Sequence, residues 1–107
     1  MLRAKGEIVF TLAGSSYTAS NHFRVAFSFG NGMIYSGNIK SDNSEYIEGT
    51  AYLVDIEFFT IEDEAFILLQ PVLKADLDVV MCAGSRILGI AKLSDFIFDN
   101  QAVLLSA

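Results

Sequence analysis

The side chains that could do chemistry are few and scattered along this chain of 107 residues. His22 is the single histidine, and a general base needs a positioned partner as well as a pKa near neutrality. No neighbour in sequence supplies one, so a loop or strand-edge histidine is expected. Cys82 sits between Met81 and Ala83. A nucleophilic thiol needs an electropositive, exposed setting, whereas an apolar run suits a small buried hydrophobe. Ser15 and Ser16 lack the Gly-x-Ser-x-Gly elbow that presents a hydrolase nucleophile. Arg24 and Arg86 could hold an anion, but on alternating strands they are expected to face solvent or acidic neighbours. These readings predict no catalytic residue, no cofactor and no enzyme.

The carboxylates are better supplied. Asp42, Glu45 and Glu48 fall within DNSEYIE, and Glu62, Asp63 and Glu64 are consecutive. Neither spacing follows the alternating ligands of a calcium loop ending in a bidentate Glu, so no metal site is expected and the segments read as solvated turns. Extended along a strand by Asp55 and Glu57, they form the surface best suited to a basic protein partner.

Composition sets the bounds. The chain length gives one domain with one core, and a sequence that is 52% hydrophobic with nine Phe, four Tyr and one Pro has none of the profile of disorder. The formal charge is −6, a device that also keeps a small domain in solution. Seven dispersed basic residues make no stripe to offset phosphates, so nucleic acid is a poor fit. A single cysteine excludes an internal disulfide and suits a reducing compartment, so a cytoplasmic location is expected. The start, MLRAKGEIVF, has no apolar run long enough for a signal peptide, and no segment approaches the ~20 apolar residues of a membrane helix.

The elements that must carry these residues are strands. Residues 79–83 and 87–92 are short apolar runs around Ala-Gly-Ser-Arg, which predicts an antiparallel hairpin turning at Gly84 and Ser85. Residues 7–12 alternate, with Ile8, Phe10 and Leu12 on one face, and a polar loop over 13–21 follows. Phe23, Val25, Phe27 and Phe29 alternate with Arg24, Ala26 and Ser28, so the aromatics are placed in the core. Gly30-Asn31-Gly32 predicts a tight turn into a partner strand over 33–40, in which Gly37 suggests a bulge or a bend.

Residues 41–50 read as a solvated connection. Tyr52, Val54, Ile56 and Phe58 alternate with Leu53, Asp55 and Glu57, predicting a strand whose acidic face meets water. Residues 60–64 are the one place where a capped helical turn is locally reasonable, with Thr60 as cap answered by Asp63, but a charged turn between strands is preferred; an apolar strand over 65–73 interrupted by Pro71 and a turn over 74–78 follow. Residues 94–107 read either as a last strand with a docked end or as a surface extension. About seven short strands without a convincing amphipathic helix predict an all-β sandwich or barrel, a single domain over 1–107 with its barrel over about 5–93.

In that order the motifs GEIVFTL, FRVAFSF, LQPV and AGSRILG resemble the C-terminal β-barrel, the third domain, of translation elongation factor Tu. Arg24 matches the Arg of the family's aromatic strand, Pro71 its Pro, and Arg86 and Gly89 the Arg and Gly of its last hairpin. The resemblance implies a closed antiparallel Greek-key barrel of six to seven strands. In the translation factor that barrel contacts tRNA, packs on a sister barrel and receives protein partners. The family's Gly-Gly-Arg-His-Thr loop is replaced here by AGSSYTASNH, with no cation before His22, and no phosphate-binding GxxxxGK[ST] run occurs.

Three functions are carried forward. The first is a free-standing, non-enzymatic protein-binding barrel, an acidic immunity or inhibitor protein among the roles that fit. The second is an accessory RNA- or tRNA-contacting component related to translation, which requires a positive surface around Arg3, Lys5, Arg24 and Arg86. The third is an enzyme with a small site in the barrel mouth, requiring polar groups that converge on one pocket. A homodimer is a separate expectation, with an edge beside Pro71 or the tail at 103–105 covered by a second copy.

Overall fold

The computed structural model describes residues 1–11, 16–18, 22–42 and 45–105; Leu12 and Ser15 lie outside the described residues, as do the side chains of Ser16, His22, Phe23 and Glu45. The chain forms β1 (Leu2–Phe10), β2 (Ser16–Thr18), β3 (His22–Ser28), β4 (Ile34–Lys40), β5 (Glu45–Ile47) and β6 (Ala51–Phe58). There follow a helix α1 (Asp63–Leu69), a single 3-10 turn (Gln70–Val72), β7 (Leu77–Ala83), β8 (Arg86–Phe98) and β9 (Gln101–Ala102).

Six strands pair in the order β1-β6-β4-β3-β7-β8, and β8 returns to β1, so the antiparallel sheet closes into a barrel with β9 added beside the far end of β8. The consecutive strands β3, β4 and β6 lie side by side with β1 against β6, a Greek-key arrangement. Closure gives each of the six barrel strands a partner on both sides over at least part of its length. Alternation decides which side chains fill the interior: Leu2, Ala4, Ile8 and Phe10 from β1, Val25 and Phe27 from β3, Val54, Ile56 and Phe58 from β6, and Val79 and Met81 from β7 are all buried.

Two bulges let β8 bend around the barrel. Met81 faces Gly89 while Cys82 faces Ile87, so Leu88 is an inserted residue, and its carbonyl accepts the Thr11 N–H at 2.9 Å. Arg3 faces Ile97 while Lys5 faces Ser94, and Asp95 in the inserted segment takes a φ of 52°. Residues 94–98 thus continue β8 rather than forming a separate last strand. Asp99 and Asn100, both at positive φ, turn the chain into β9.

Several expectations are corrected. The apolar stretch over 65–73 is not a strand: with Asp63 and Glu64 it builds α1 and the 3-10 turn, while the expected turn is confined to Phe59 and Thr60 ahead of the helix. Asp63 and Glu64 occupy the first helical turn, where negative charge is favoured by the helix dipole. Leu69 is buried on the barrel side, with Ala65 and Phe66 half-buried beside it in sequence spacing. Pro71 sits near the start of the 3-10 turn, where a missing N–H costs little, so it marks no sheet edge.

Gly37 lies in unbroken register opposite Val25 and makes no bulge. Its role is close approach, since a Cβ there would stand 2.7 Å from the Phe27 ring. The connection over 41–50 is not wholly solvated: β5 pairs with β2, and Tyr46 is buried with its ring 5.3 Å from Phe10 and 4.9 Å from Tyr52. Cys82 is half-buried rather than a core residue, because it shares the outward register of Asp78 and Val80.

Candidate functional site

The outer wall of the barrel is a mesh of charges set by strand register. On one row Asp78, Lys92, Glu7 and Leu53 stand opposite one another across β7, β8, β1 and β6. On the next, Ser94, Lys5, Asp55 and Lys40 do so across β8, β1, β6 and β4. On a third, Arg3, Glu57, Asn38 and Arg24 follow across β1, β6, β4 and β3. Acid meets base at most positions, an arrangement that stabilises cross-strand pairs.

Glu57 is the one buried charged side chain among the described residues. Its carboxylate accepts from Lys40 Nζ at 2.9 Å and from Arg3 Nε at 3.2 Å. The hydrogen bond from Lys40 is the largest influence holding Glu57 below the ordinary carboxylate range; burial opposes it, and Arg3 adds to it. The expected water-facing acidic strand face is therefore only half right: Asp55 is exposed, but Glu57 is neutralised in place. This matters for binding, since a compensated carboxylate offers little attraction to a basic partner.

Beside Glu57, the other seven carboxylates expected to form one surface are distributed over three places. Asp42 and Asp55 line a shallow hollow of about 850 Å³ with Lys5, Lys40, Lys92 and Asp95. Its mixed signs give no single-sign field for a ligand to follow. Glu45 and Glu48 belong to the β5 segment, Glu48 half-buried. Glu62, Asp63 and Glu64 are exposed on the α1 connector. There Glu62 accepts from the Met1 amino group at 3.0 Å and Asp99 does so at 2.8 Å. The hydrogen bond to Asp99 is the chief reason that the amino group's pKa is raised, with Glu62 adding and burial opposing.

The residues matched to the translation-factor barrel also separate. Arg24 is exposed, and its Nε donates to Asn38 Oδ1 at 3.2 Å. Arg86 is exposed at the tip of the β7–β8 hairpin, and Pro71 is exposed beside α1. Gly89 is buried where β8 meets β1: a Cβ there would stand 2.1 Å from the Val9 carbonyl oxygen. The four cations required for an RNA surface do not gather either, since Arg3 is paired with Glu57 and Lys5 stands opposite Asp55. Among the described residues no three His, Cys, Asp or Glu side chains gather as a metal site, and no helix is long and apolar enough to cross a membrane.

The feature that sequence reasoning missed is apolar. On α1, Ile67 and Leu68 are 68% and 69% exposed, one turn after Asp63 and Glu64, and Phe59 at the start of the connector is also exposed. The opposite side of the helix is docked, with Leu69 buried and Phe66 stacked on Phe98 at a centroid distance of 4.0 Å. A strand assignment hid this, because period 2 scatters residues that period 3.6 brings together.

No profile of a known protein family matches the chain, and no curated protein sequence matches it significantly.

Proposed function

We propose that this chain is a non-enzymatic binding module that engages a basic protein through the α1 connector. The observation that carries the reading is the exposed pair Ile67 and Leu68, on a helix whose other face is fixed to the barrel, preceded by the exposed acids Glu62, Asp63 and Glu64. An apolar centre bordered by one sign of charge is how a docking surface combines affinity with orientation. The chain's charge of −6 favours a partner of opposite sign. An immunity or inhibitor protein is the role in which a small acidic domain of this kind fits best.

The closed six-stranded Greek-key order is the fold that the resemblance to the translation-factor barrel implies, and it supports a module of that kind. It carries no activity with it, because unrelated functions share such barrels.

The test is affinity capture from lysate of the protein's own source with the wild type, Leu68→Lys and Glu64→Lys. A basic polypeptide retained by the wild type, lost with Leu68→Lys and weakened with Glu64→Lys supports the reading. Equal retention by all three overturns it, as does recovery of tRNA with no polypeptide.

A further inference from the structure

The strand that ends the sheet is β9. It pairs with β8, and among the described residues no strand lies on its other side. Ile97 faces Ala102, Phe98 faces Gln101, and the Val103 N–H donates to the Phe96 carbonyl at 3.0 Å. In an antiparallel ladder, residues that bond to the neighbouring strand alternate with residues whose N–H and C=O point the other way. Ala102 and Leu104, on either side of Val103, therefore turn their backbone groups away from β8. Both are exposed, Leu104 by 88%.

Natural sheets guard such edges with charges, prolines or bulges. Residues 100–105, NQAVLL, contain no charged residue and no proline, so the edge is an open template. Acids surround it. Asp99 lies in the turn before β9 and shares the Met1 amino group with Glu62 of the α1 connector. The register continued past Val103 sets Asp95 beside Leu104, and Asp95 lines one hollow with Asp76. Both are exposed and enter no ion pair among the described residues. Of the cations on neighbouring segments, Lys92 stands 3.3 Å from Asp78 and Arg3 is held by Glu57, which leaves Lys74. The edge also adjoins the exposed helix, because Phe66 of α1 stacks on Phe98, the partner of Gln101.

We propose that the partner enters as an extended basic segment that adds a strand to the free edge of β9. This deepens the reading of α1 as the docking surface for a basic protein and rests on it. In strand addition the main-chain hydrogen bonds supply affinity and alternate side chains supply selectivity. Here Ala102 and Leu104 offer apolar contact to every second side chain, and Asp76, Asp95 and Asp99 favour cations among the rest. A second copy of this chain is the poorer occupant, since it brings the same acids and a charge of −6 to the same edge.

The probe is a synthetic peptide that alternates lysine with valine, and its control has the same composition with the lysines in one block. The alternating peptide is expected to bind the full chain more tightly than its control. It is expected to slow amide hydrogen exchange at Ala102 and Leu104 by about tenfold or more, with little change at Val103, which is already bonded to β8. Leu104→Pro removes an outward N–H without touching the β8 ladder; it should keep the circular dichroism spectrum and weaken the peptide by about tenfold or more, while Leu104→Val binds as the wild type does. Equal binding of the two peptides, unslowed exchange at both amides, or a Leu104→Pro protein that binds normally overturns the proposal. So does a wild type that dimerises in sedimentation velocity while Leu104→Pro stays monomeric, since the occupant is then a second copy. In affinity capture, a basic polypeptide lost with Leu68→Lys but held in full by Leu104→Pro overturns the strand addition and leaves the α1 reading standing.

Discussion

Glu57 and Lys40 form an ion pair on the barrel wall, Nζ lying 2.9 Å from a carboxylate that is almost wholly buried. Arg3 completes the group from the opposite side, at 3.2 Å. The group spans β1, β4 and β6, so it ties the register of three neighbouring strands together.

Its pH dependence follows from the depressed pKa of Glu57. A carboxylate with a folded pKa below its unfolded one contributes stability above the unfolded value, about 4.3, and loses it as pH falls through the folded value. Replacing Glu57 with Gln is expected to cost about 1 kcal/mol at pH 7, a size set by a partly screened pair. The Tm difference between wild type and Glu57→Gln should hold from pH 7 to about pH 5 and shrink below it. A difference that persists undiminished in strong acid would mean that packing, not charge, is responsible.

Two of the three buried glycines, Gly37 and Gly89, make opposite demands on their neighbours. At Gly37 an added methyl meets the Phe27 ring and Ile56, side chains that can shift slightly; at Gly89 it meets the Val9 carbonyl, which belongs to the barrel's closing seam. Gly37→Ala is therefore expected to cost about 1–2 kcal/mol and Gly89→Ala about 3 kcal/mol or more. Urea denaturation of both variants checks the order. Equal costs would show that the β1–β8 seam yields as readily as a ring.

Phe66 and Phe98 stack with ring planes 4° apart, and the contact ties α1 to the end of β8. A double-mutant cycle with Phe66→Leu and Phe98→Leu should return a coupling of about 0.5–1 kcal/mol, the size of an aromatic pair. A coupling indistinguishable from zero would leave Leu69 as the helix's anchor.

How far the fold could be read from the residues depended on whether period 2 was expressed. The runs through Phe27 and Ile56 alternate cleanly, and their strands, their inward faces and the turns at Gly30 and Gly84 follow. Residues 65–69, AFILL, are apolar without alternation, and such a run fits a buried strand or one turn of helix equally well. What decides is outside the run: two acids at its start favour a helix N-terminus, and Pro71 two residues after its end stops a strand but is tolerated in a 3-10 turn. The charge surface was less legible still. Glu57 and Asp55 look alike in sequence, and the register sets Lys40 opposite Asp55; what makes Glu57 the structural carboxylate is Arg3 opposite it and the diagonal reach of the Lys40 side chain.

The two faces of α1 give the sharpest separation of stability from binding. Leu69 is fully buried, and truncation to Ala removes packed methyl groups and leaves a cavity, at an expected cost of about 3 kcal/mol. Ile67, two residues earlier, is mostly exposed, so Ile67→Ala should change stability by less than about 0.5 kcal/mol. If the exposed side of the helix is a docking surface, Ile67→Ala weakens capture of the basic partner while its thermal transition matches that of the wild type. An Ile67→Ala protein that melts as early as Leu69→Ala would place Ile67 in the core instead and remove it from the surface on which partner binding depends.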